Sequence, residues 1–186
     1  CDFWNMENVR ITSCDQKGLR IQHSQVFILN NVRSDLNTGN GYEFVGDATR
    51  STLGFNLVNC DATSNGGVGF SFQATGNNIL YFTALGCFAT TNTGDGFDVA
   101  GDTVYHSSFI GCTANGNAIG YDIAGQRMAI IGCNALTNTT RGIRVTSIEC
   151  ALVGNNTADS YAISSNRVAA IGNIPPYGAS TDPSTT

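Results

Sequence analysis

One short motif recurs four times along the chain, and each copy places a cysteine in the same setting. The copies read NLVNCDATSN, TALGCFATTN, SFIGCTANGN and AIIGCNALTN. The column defined by the cysteine extends to asparagines at both ends, and its members are Asn8, Asn31, Cys60, Cys87, Cys112, Cys133, Asn155 and Asn173. Successive members lie 23, 29, 27, 25, 21, 22 and 18 residues apart, and the residue two places earlier is always apolar. A repeat of this length predicts stacked units of a solenoid.

A second pattern follows each motif and consists of a glycine and then an apolar-x-apolar triplet. It begins at Gly18, Gly41, Gly69, Gly96, Gly120 and Gly142. Alternation with a period of two predicts a β-strand, and we expect the glycine to have a positive φ where the chain turns into that strand. An asparagine five places after each cysteine predicts a ladder of side-chain amides between layers.

The composition narrows the possible partners of the chain. Only 12% of the 186 residues are charged, and 22 are glycine, which favours short strands and tight turns over helices. A net charge of −5 without a Lys/Arg cluster argues against a nucleic-acid partner. No apolar run of about 18 residues is present, so no membrane insertion is expected. With two distant histidines and no CxxC pair, we expect neither a metal site nor a cofactor.

The predicted fold is all-β, a right-handed parallel β-helix of about seven coils that tapers toward the C-terminus. A leucine-rich repeat would need the LxxLxLxxN pattern, which the sequence lacks. The variable spacing is typical of the irregular right-handed type. We expect the β-helix to span residues 1–173, and residues 174–186 to form a Pro/Ser/Thr-rich exit or linker. Because the chain begins in mid-pattern, we expect it to be a fragment of a longer helix.

The Cys/Asn column and the repeated GFxF-type strands resemble the pectate-lyase-like superfamily of single-stranded right-handed β-helices. Within it, the irregular coils, low charge and Pro-Ser-Thr exit look most like bacteriophage tailspikes. This resemblance implies a homotrimer on the virion tail, or an extracellular protein, that binds and sometimes cleaves a bacterial surface polysaccharide. If the chain is an enzyme, the resemblance implies a glycoside hydrolase or polysaccharide lyase. The alternatives are a secreted lyase, hydrolase or epimerase of the same fold, and a non-enzymatic structural stem.

The middle residue of each apolar-x-apolar triplet should face solvent. This outward column reads Arg20, Glu43, Ser71, Asp98, Asp122, Arg144 and Ala162. Asp98 and Asp122 should lie about 4.8 Å apart on adjacent coils, where repulsion raises one pKa. We therefore take Glu43, Asp98 and Asp122 as candidate catalytic residues. The alternative is a structural cross-strand ion pair between Asp122 and Arg144.

Candidate ligand-binding residues are of two kinds, cationic and aromatic. The arginines are Arg20 and Arg144 of the outward column, and the aromatic residues are Tyr81 and Tyr105, whose rings could stack on sugars. The alternative role for both tyrosines is packing in the core or against another subunit. Six places before the cysteine column, the residues His106, Arg127, Glu149 and Arg167 predict a structural ladder of charges.

Two further expectations concern the cysteine column and its neighbours. The four cysteines should be buried free thiols, because stacked parallel side chains have poor geometry for a disulfide. Three places earlier, strict alternation predicts an outward column that is mostly apolar, namely Asn5, Ile28, Leu57, Ala84, Phe109, Ile130, Leu152 and Ala170. We expect three-fold packing of subunits to bury this stripe.

Overall fold

The computed structural model describes residues 2–101, 103–146, 148–164 and 167–174. Of the predicted exit segment, all but Ile174 lies outside the described residues. Within those ranges the chain forms 25 short strands and no helix. Numbered along the chain, the strands are β1 (Asp2–Glu7), β2 (Arg10–Thr12), β3 (Leu19–Gln22), β4 (Gln25–Asn30), β5 (Arg33–Asp35), β6 (Tyr42–Asp47), β7 (Thr52–Leu53), β8 (Asn56–Val58), β9 (Asp61–Thr63), β10 (Phe70–Thr75), β11 (Ile79–Leu80), β12 (Thr83–Leu85), β13 (Phe88–Thr90), β14 (Phe97–Ala100), β15 (Val104–Tyr105), β16 (Ser108–Ile110), β17 (Thr113–Asn115), β18 (Ile119–Ile123), β19 (Ala129–Ile131), β20 (Asn134–Leu136), β21 (Arg141–Val145), β22 (Cys150–Val153), β23 (Asn156–Thr157), β24 (Tyr161–Ile163) and β25 (Val168–Ile171).

The strands form three parallel sheets, and each turn of the chain contributes to all three. Sheet 1 has eleven strands, in the order β15-β11-β7-β4-β8-β12-β16-β19-β22-β25 with β1 beside β4. Sheet 2 runs β2-β5-β9-β13-β17-β20-β23, and sheet 3 runs β3-β6-β10-β14-β18-β21-β24. Seven strands in each of sheets 2 and 3 correspond to about six complete turns. The predicted right-handed parallel β-helix is confirmed.

The coils shorten along the chain, as the spacing predicts. Arg33 pairs with Asp61, a turn of 28 residues (61 − 33). Asn156 pairs with Ile174, a turn of 18 residues (174 − 156).

The core is built from rows of like residues, because in-register stacking places each side chain one strand spacing above its counterpart. In one row the rings of Phe27 and Phe55 have centroids 4.6 Å apart, and in another those of Tyr42 and Phe70 are also 4.6 Å apart. The rows are Trp4–Phe27–Phe55–Phe82 and Tyr42–Phe70–Phe97–Tyr121. Such nearly parallel rings bury a large apolar area in each coil.

The cysteines of the repeated motif form a buried column of free thiols, as expected. They are Cys60, Cys87, Cys112 and Cys133. Asn155 continues this column, since its Oδ1 accepts the Cys133 backbone N–H at 2.9 Å. Upstream the predicted alignment is wrong by one residue: Arg33 pairs with Asp61, so Val32 rather than Asn31 lies in the column. Asn31 instead occupies the left-handed corner (φ 51°) just before it.

The amide ladder runs through the buried Asn37, Asn65, Asn92, Asn117 and Asn138. From Asn65 onward, the Oδ1 of each asparagine accepts two hydrogen bonds from the asparagine one coil earlier, one from its backbone N–H and one from its side-chain Nδ2. For Asn65 and Asn92 these distances are 3.0 and 2.9 Å. The last rung is Asp159, whose Oδ2 accepts the Asn138 backbone N–H at 2.8 Å and its Nδ2 at 3.0 Å.

The glycines that precede the sheet 3 strands are required by this ladder and not by their backbone conformation. Only other glycines, such as Gly86 and Gly111, have a positive φ, so the predicted conformation is wrong. A Cβ on Gly69 would lie 2.7 Å from the Gly96 oxygen and 2.9 Å from Asn92 Nδ2. Any side chain here would therefore push the coils apart.

From Leu57 to Leu152 the apolar column predicted to face outward faces the core instead, whereas its upstream members Asn5 and Ile28 are exposed as predicted, because Ile28 pairs with Asn56 and not with Leu57. Leu57, Ala84, Phe109, Ile130 and Leu152 are all buried. The corner that follows them has a left-handed residue in every coil, which reverses the alternation before the cysteine column. The neighbouring column faces outward and consists of Glu7, Asn30, Val58, Leu85, Ile110, Ile131, Val153 and Ile171.

In the part of the chain that the structure describes, no helix is long and apolar enough to cross a membrane.

Candidate functional site

The outward column of sheet 3 has the predicted register throughout. Arg20 pairs with Glu43, Asp98 with Asp122, and Asp122 with Arg144. The flanking triplet residues, such as Phe97 and Val99, are buried, so alternation directs the middle residue outward. Sheet 3 thus carries one residue of this column per coil on its outer side, and of these Glu43 and Ser71 are buried.

Three carboxylates meet on this surface. One carboxylate oxygen from each of Asp95, Asp98 and Asp122 lies within 4.8 Å of the others, and all three residues are half-buried. Asp98 and Asp122 come from β14 and β18, whereas Asp95 lies in the turn before β14. The Asp95 Oδ1 accepts the backbone N–H of Ile119 at 2.9 Å, which fixes the carboxylate at the edge of the next coil.

Sequence reasoning missed Asp95, although a signal exists. It is the acidic residue directly before the glycine of the GFDV strand, three places before Asp98. Asp95 lies outside the apolar-x-apolar triplet, so strand alternation does not predict that it lies near Asp122.

The cluster disfavours full ionisation. Burial raises the pKa of Asp98 to about 6, and the nearby negative charges of Asp122 and Asp95 act in the same direction. Burial likewise raises the pKa of Asp95, against the opposing hydrogen bond from Ile119. A carboxyl that titrates near neutral pH can accept or donate a proton in catalysis.

Arg144 borders the cluster on the next coil. Its Nε donates to Asp122 Oδ1 at 2.6 Å, and its Nη2 donates to Asp122 Oδ2. This bidentate hydrogen bonding raises the pKa of Arg144 further. The cross-strand ion pair considered from the sequence is therefore present, and it also holds a partly exposed guanidinium beside Asp98 and Asp95.

Glu43 lies apart from the cluster. The buried Ser71 separates it from Asp98 along the column. The Glu43 carboxylate accepts a hydrogen bond of 2.6 Å from Lys17 Nζ and lies 3.1 Å from Arg20 Nε. Its side chain is only 4% exposed. The structure thus places Glu43 and Arg20 in one ion-pair group, and the third predicted carboxylate of the cluster is replaced by Asp95.

The two predicted aromatic residues lie at a corner of sheet 1 and not on sheet 3. Tyr81 is 60% exposed, and its ring stacks on His106 with centroids 5.5 Å apart. Tyr105 is half-buried, and its ring is tilted against His106 at 6.3 Å.

The three aspartates could also hold a metal ion. Hard cations such as Ca²⁺ bind several carboxylate oxygens at once, together with water or ligand oxygens. The oxygens of Asp95, Asp98 and Asp122 are near enough to share one such ion. The sequence-based expectation of no metal site did not consider this group.

No protein-family model and no curated protein matches the sequence. Two solved structures are similar in fold. The pectate lyase Pel9A has a TM-score of 0.66 and 17% identity, over 98% of this chain and 56% of that one. The A-module of the Azotobacter vinelandii mannuronan C-5 epimerase AlgE4 has a TM-score of 0.52 and 14% identity, over 92% of this chain and 55% of that one. The likeness shows the fold. The chain spans about half the length of either structure.

Proposed function

We propose that this chain is the β-helix of a protein that acts on an acidic polysaccharide, as a lyase or an epimerase, with its chemistry at Asp95, Asp98 and Asp122. The observation that carries the proposal is the carboxylate cluster beside Arg144 on the outer surface of sheet 3. Solved proteins of similar fold are named as a pectate lyase and a mannuronan epimerase, enzymes of uronic acid polymers.

The residues suit the first step that elimination and epimerisation share, which is removal of the proton on the carbon next to the uronate carboxylate. With a pKa of about 6, Asp98 is a base near neutral pH. The Arg144 guanidinium lies one coil beyond Asp122, two coils from Asp98, and can pair with the substrate carboxylate. The negative charge that develops there in the transition state is then stabilised.

A cation shared by the three aspartates is a different arrangement: it would bind the substrate carboxylate itself and would lower the pKa of Asp98, which would then act as a ligand and not as the base. Hydrolysis with retention is the alternative for this cluster. A retaining glycosidase places its two carboxyl groups roughly 5 to 5.5 Å apart, whereas an inverting one separates them by roughly 6.5 to 9.5 Å to admit a water molecule. The oxygens here lie within 4.8 Å of one another.

The test uses polygalacturonate, polymannuronate and a neutral glucan, each with Ca²⁺ or with EDTA. Elimination is read as ultraviolet absorbance of unsaturated uronate, epimerisation by proton NMR, and hydrolysis as reducing ends alone. We expect activity on a polyuronate, and Asp98→Asn should lower it at least about 100-fold. Glu43→Gln is the matched control, because Glu43 lies in the same column but in a separate ion-pair group. Equal rates for Asp98→Asn and the unsubstituted protein would refute the assignment.

A finer proposal is that the parent protein is a homotrimeric bacteriophage tailspike, displayed on the virion and directed at a bacterial surface polysaccharide. The outward row of sheet 1 favours self-association: Leu85, Ile131 and Ile171 are 46, 37 and 65% exposed. Side-by-side packing of three copies would bury this row. We expect a trimer in sedimentation at micromolar concentration, and Leu85→Lys should weaken it. A monomer would count against the tailspike and leave a secreted enzyme or a structural stem, and glycan turnover separates these two.

A further inference from the structure

Left-handed backbone recurs at three corners of the helix. One precedes the amide ladder and carries mostly Ser and Thr, namely Ser13, Leu36, Ser64, Thr91, Gly116 and Thr137. The other two corners differ in the kind of residue that they carry. At the corner before the cysteine column, every position is Asn or Gly, the types that tolerate this conformation. These are Asn8, Asn31, Asn59, Gly86, Gly111, Gly132, Gly154 and Gly172. At the other corner the left-handed positions carry large side chains, in the order Phe3, Val26, Gly54, Tyr81, His106, Arg127, Glu149 and Arg167. Since bulky and β-branched residues disfavour positive φ, the backbone does not explain this second set.

The side chains of this second corner form an outward ladder, as the sequence predicts for its charged part. The Glu149 carboxylate accepts hydrogen bonds from Arg127 Nε at 2.7 Å and from Arg167 Nη1 at 2.9 Å. Arg127 Nη1 lies 3.4 Å from His106 Nε2, and the His106 ring stacks on Tyr81. The ladder is therefore continuous from Arg167 to Tyr81.

Gly54 interrupts the ladder directly beyond Tyr81. The backbone stacking continues, since the Gly54 N–H donates to the Leu80 oxygen at 2.9 Å. A Cβ built on Gly54 would meet, among the described residues, only Val26 Cγ2 at 3.8 Å. Val26 and Tyr81 are two strand spacings apart, about 10 Å. One ring can therefore fit between them.

We propose that this gap, the Gly54 slot, binds one sugar ring of the polysaccharide. One face of the Tyr81 ring is covered by His106, and the opposite face is directed at the slot. The apolar C–H face of a pyranose can stack on that ring while its hydroxyl groups remain in water. The exposed Val26 closes the other side. The inference rests on the proposed function for the chemical class of the ligand, but the slot lies on sheet 1, away from the aspartate cluster.

The test measures binding of hexameric oligogalacturonate and oligomannuronate by calorimetric titration. Two variants damage the slot in independent ways: Tyr81→Ala removes the platform, and Gly54→Asn fills the gap with a residue that accepts the left-handed corner. Tyr81→Phe keeps the ring. Gly111→Asn makes the same substitution at a φ of 60°, close to the 62° of Gly54, at the corner before the cysteine column, where a Cβ on Gly111 would have nothing within 4 Å.

We expect Tyr81→Ala and Gly54→Asn each to weaken binding of one hexamer about ten-fold. Tyr81→Phe and Gly111→Asn should bind like the unsubstituted protein, and circular dichroism should show the same fold for all four. Unchanged binding in Gly54→Asn would overturn the slot, as would failure of the unsubstituted chain to bind either hexamer. Turnover by the aspartate cluster is measured separately, so slot binding without turnover refutes only the proposed function, and turnover without slot binding refutes only the slot.

Discussion

Replacement of Asn92 by alanine tests whether the amide ladder holds adjacent coils together. The Asn92 side chain is 3% exposed and makes four hydrogen bonds. Its Oδ1 accepts the Asn65 backbone N–H at 3.0 Å and Asn65 Nδ2 at 2.9 Å. Its Nδ2 donates to the Ala62 oxygen at 2.9 Å and to Asn117 Oδ1 at 3.0 Å.

The expected loss follows from the groups left without these bonds. Asn65 Nδ2 keeps its bond to the Ser34 oxygen at 3.1 Å, and Asn117 Oδ1 keeps the residue-92 N–H at 3.0 Å. The Asn65 backbone N–H loses its partner while buried, and the Ala62 oxygen is left with the sheet hydrogen bond of the β9–β13 pairing. At about 1–3 kcal/mol for the unsatisfied N–H and about 0.5–1.5 kcal/mol for the lost bond to Ala62, the free energy of unfolding should fall by about 1.5–4.5 kcal/mol. This is a large part of the roughly 5–15 kcal/mol typical of a folded domain.

Urea unfolding followed by circular dichroism measures this change. Asp159→Asn is the control, because the last rung accepts from Asn138 and an amide oxygen can accept equally well; we expect a change within about 0.5 kcal/mol. Asn92→Asp should be as harmful as alanine at neutral pH, since it removes both donors and buries a charge. A loss below about 1 kcal/mol for Asn92→Ala would refute the reasoning that the amides join the coils.

Three other predictions follow from the core and the carboxylates. Phe72 is buried, so Phe72→Ala should lower the free energy of unfolding by about 3–5 kcal/mol. Phe88 is exposed, so Phe88→Ala should change this free energy little in the same urea experiment. The pKa of Asp98 is raised to about 6 in the folded protein, so ionisation of this carboxyl lowers the free energy of unfolding. The loss is absent below the ordinary pKa of aspartate and is complete once the pH has risen through 6. Unfolding free energy should therefore increase from pH 7 to pH 5, and Asp98→Asn should remove that part of the increase. The thiols of Cys60, Cys87, Cys112 and Cys133 should react with Ellman's reagent only at the rate of unfolding, whereas the half-exposed Cys14 should react fast. Fast labelling at any of these four positions, located by peptide mass spectrometry, would contradict their burial.

The sequence predicts sheet 3 well because two constraints act there together. Each strand alternates with period two, and six of the seven carry at their start a glycine that the neighbouring coil leaves no room to replace. The register of Asp98, Asp122 and Arg144 could therefore be derived from letters alone. The reason inferred for the glycines was wrong, but their position was informative all the same.

Sheet 1 was misjudged because alternation does not continue through a left-handed corner. Leu57 and Cys60 are three residues apart, so strict alternation places them on opposite faces, yet both are buried. The residue at the corner, Asn59 (φ 50°), reverses the direction of the following side chain. An Asn or Gly directly before each cysteine was visible in the sequence and could have indicated the reversal.

The candidate site was only partly predictable for a related reason. Strand alternation places Asp98 over Asp122, but Asp95 reaches the cluster from a turn. Conversely, Glu43 shares the column, yet Lys17, which neutralises it, lies outside any strand. Turn conformation decides both contacts, and the sequence pattern does not specify it.

In a parallel β-helix, in-register stacking brings like side chains together, and the consequences differ between the inside and the outside. Amides, rings and thiols gain partners when stacked, whereas stacked carboxylates repel. Lys17 and Arg20 relieve this repulsion at Glu43, and Arg144 relieves it at Asp122. Among the described residues no cation forms an ion pair with Asp98, and burial together with the charges of Asp122 and Asp95 raises its pKa. Glu43 and Asp122, the other acidic residues of the column, are paired with cations. Because Asp98 lacks such a partner, its carboxyl is the one in this column that we propose as the base.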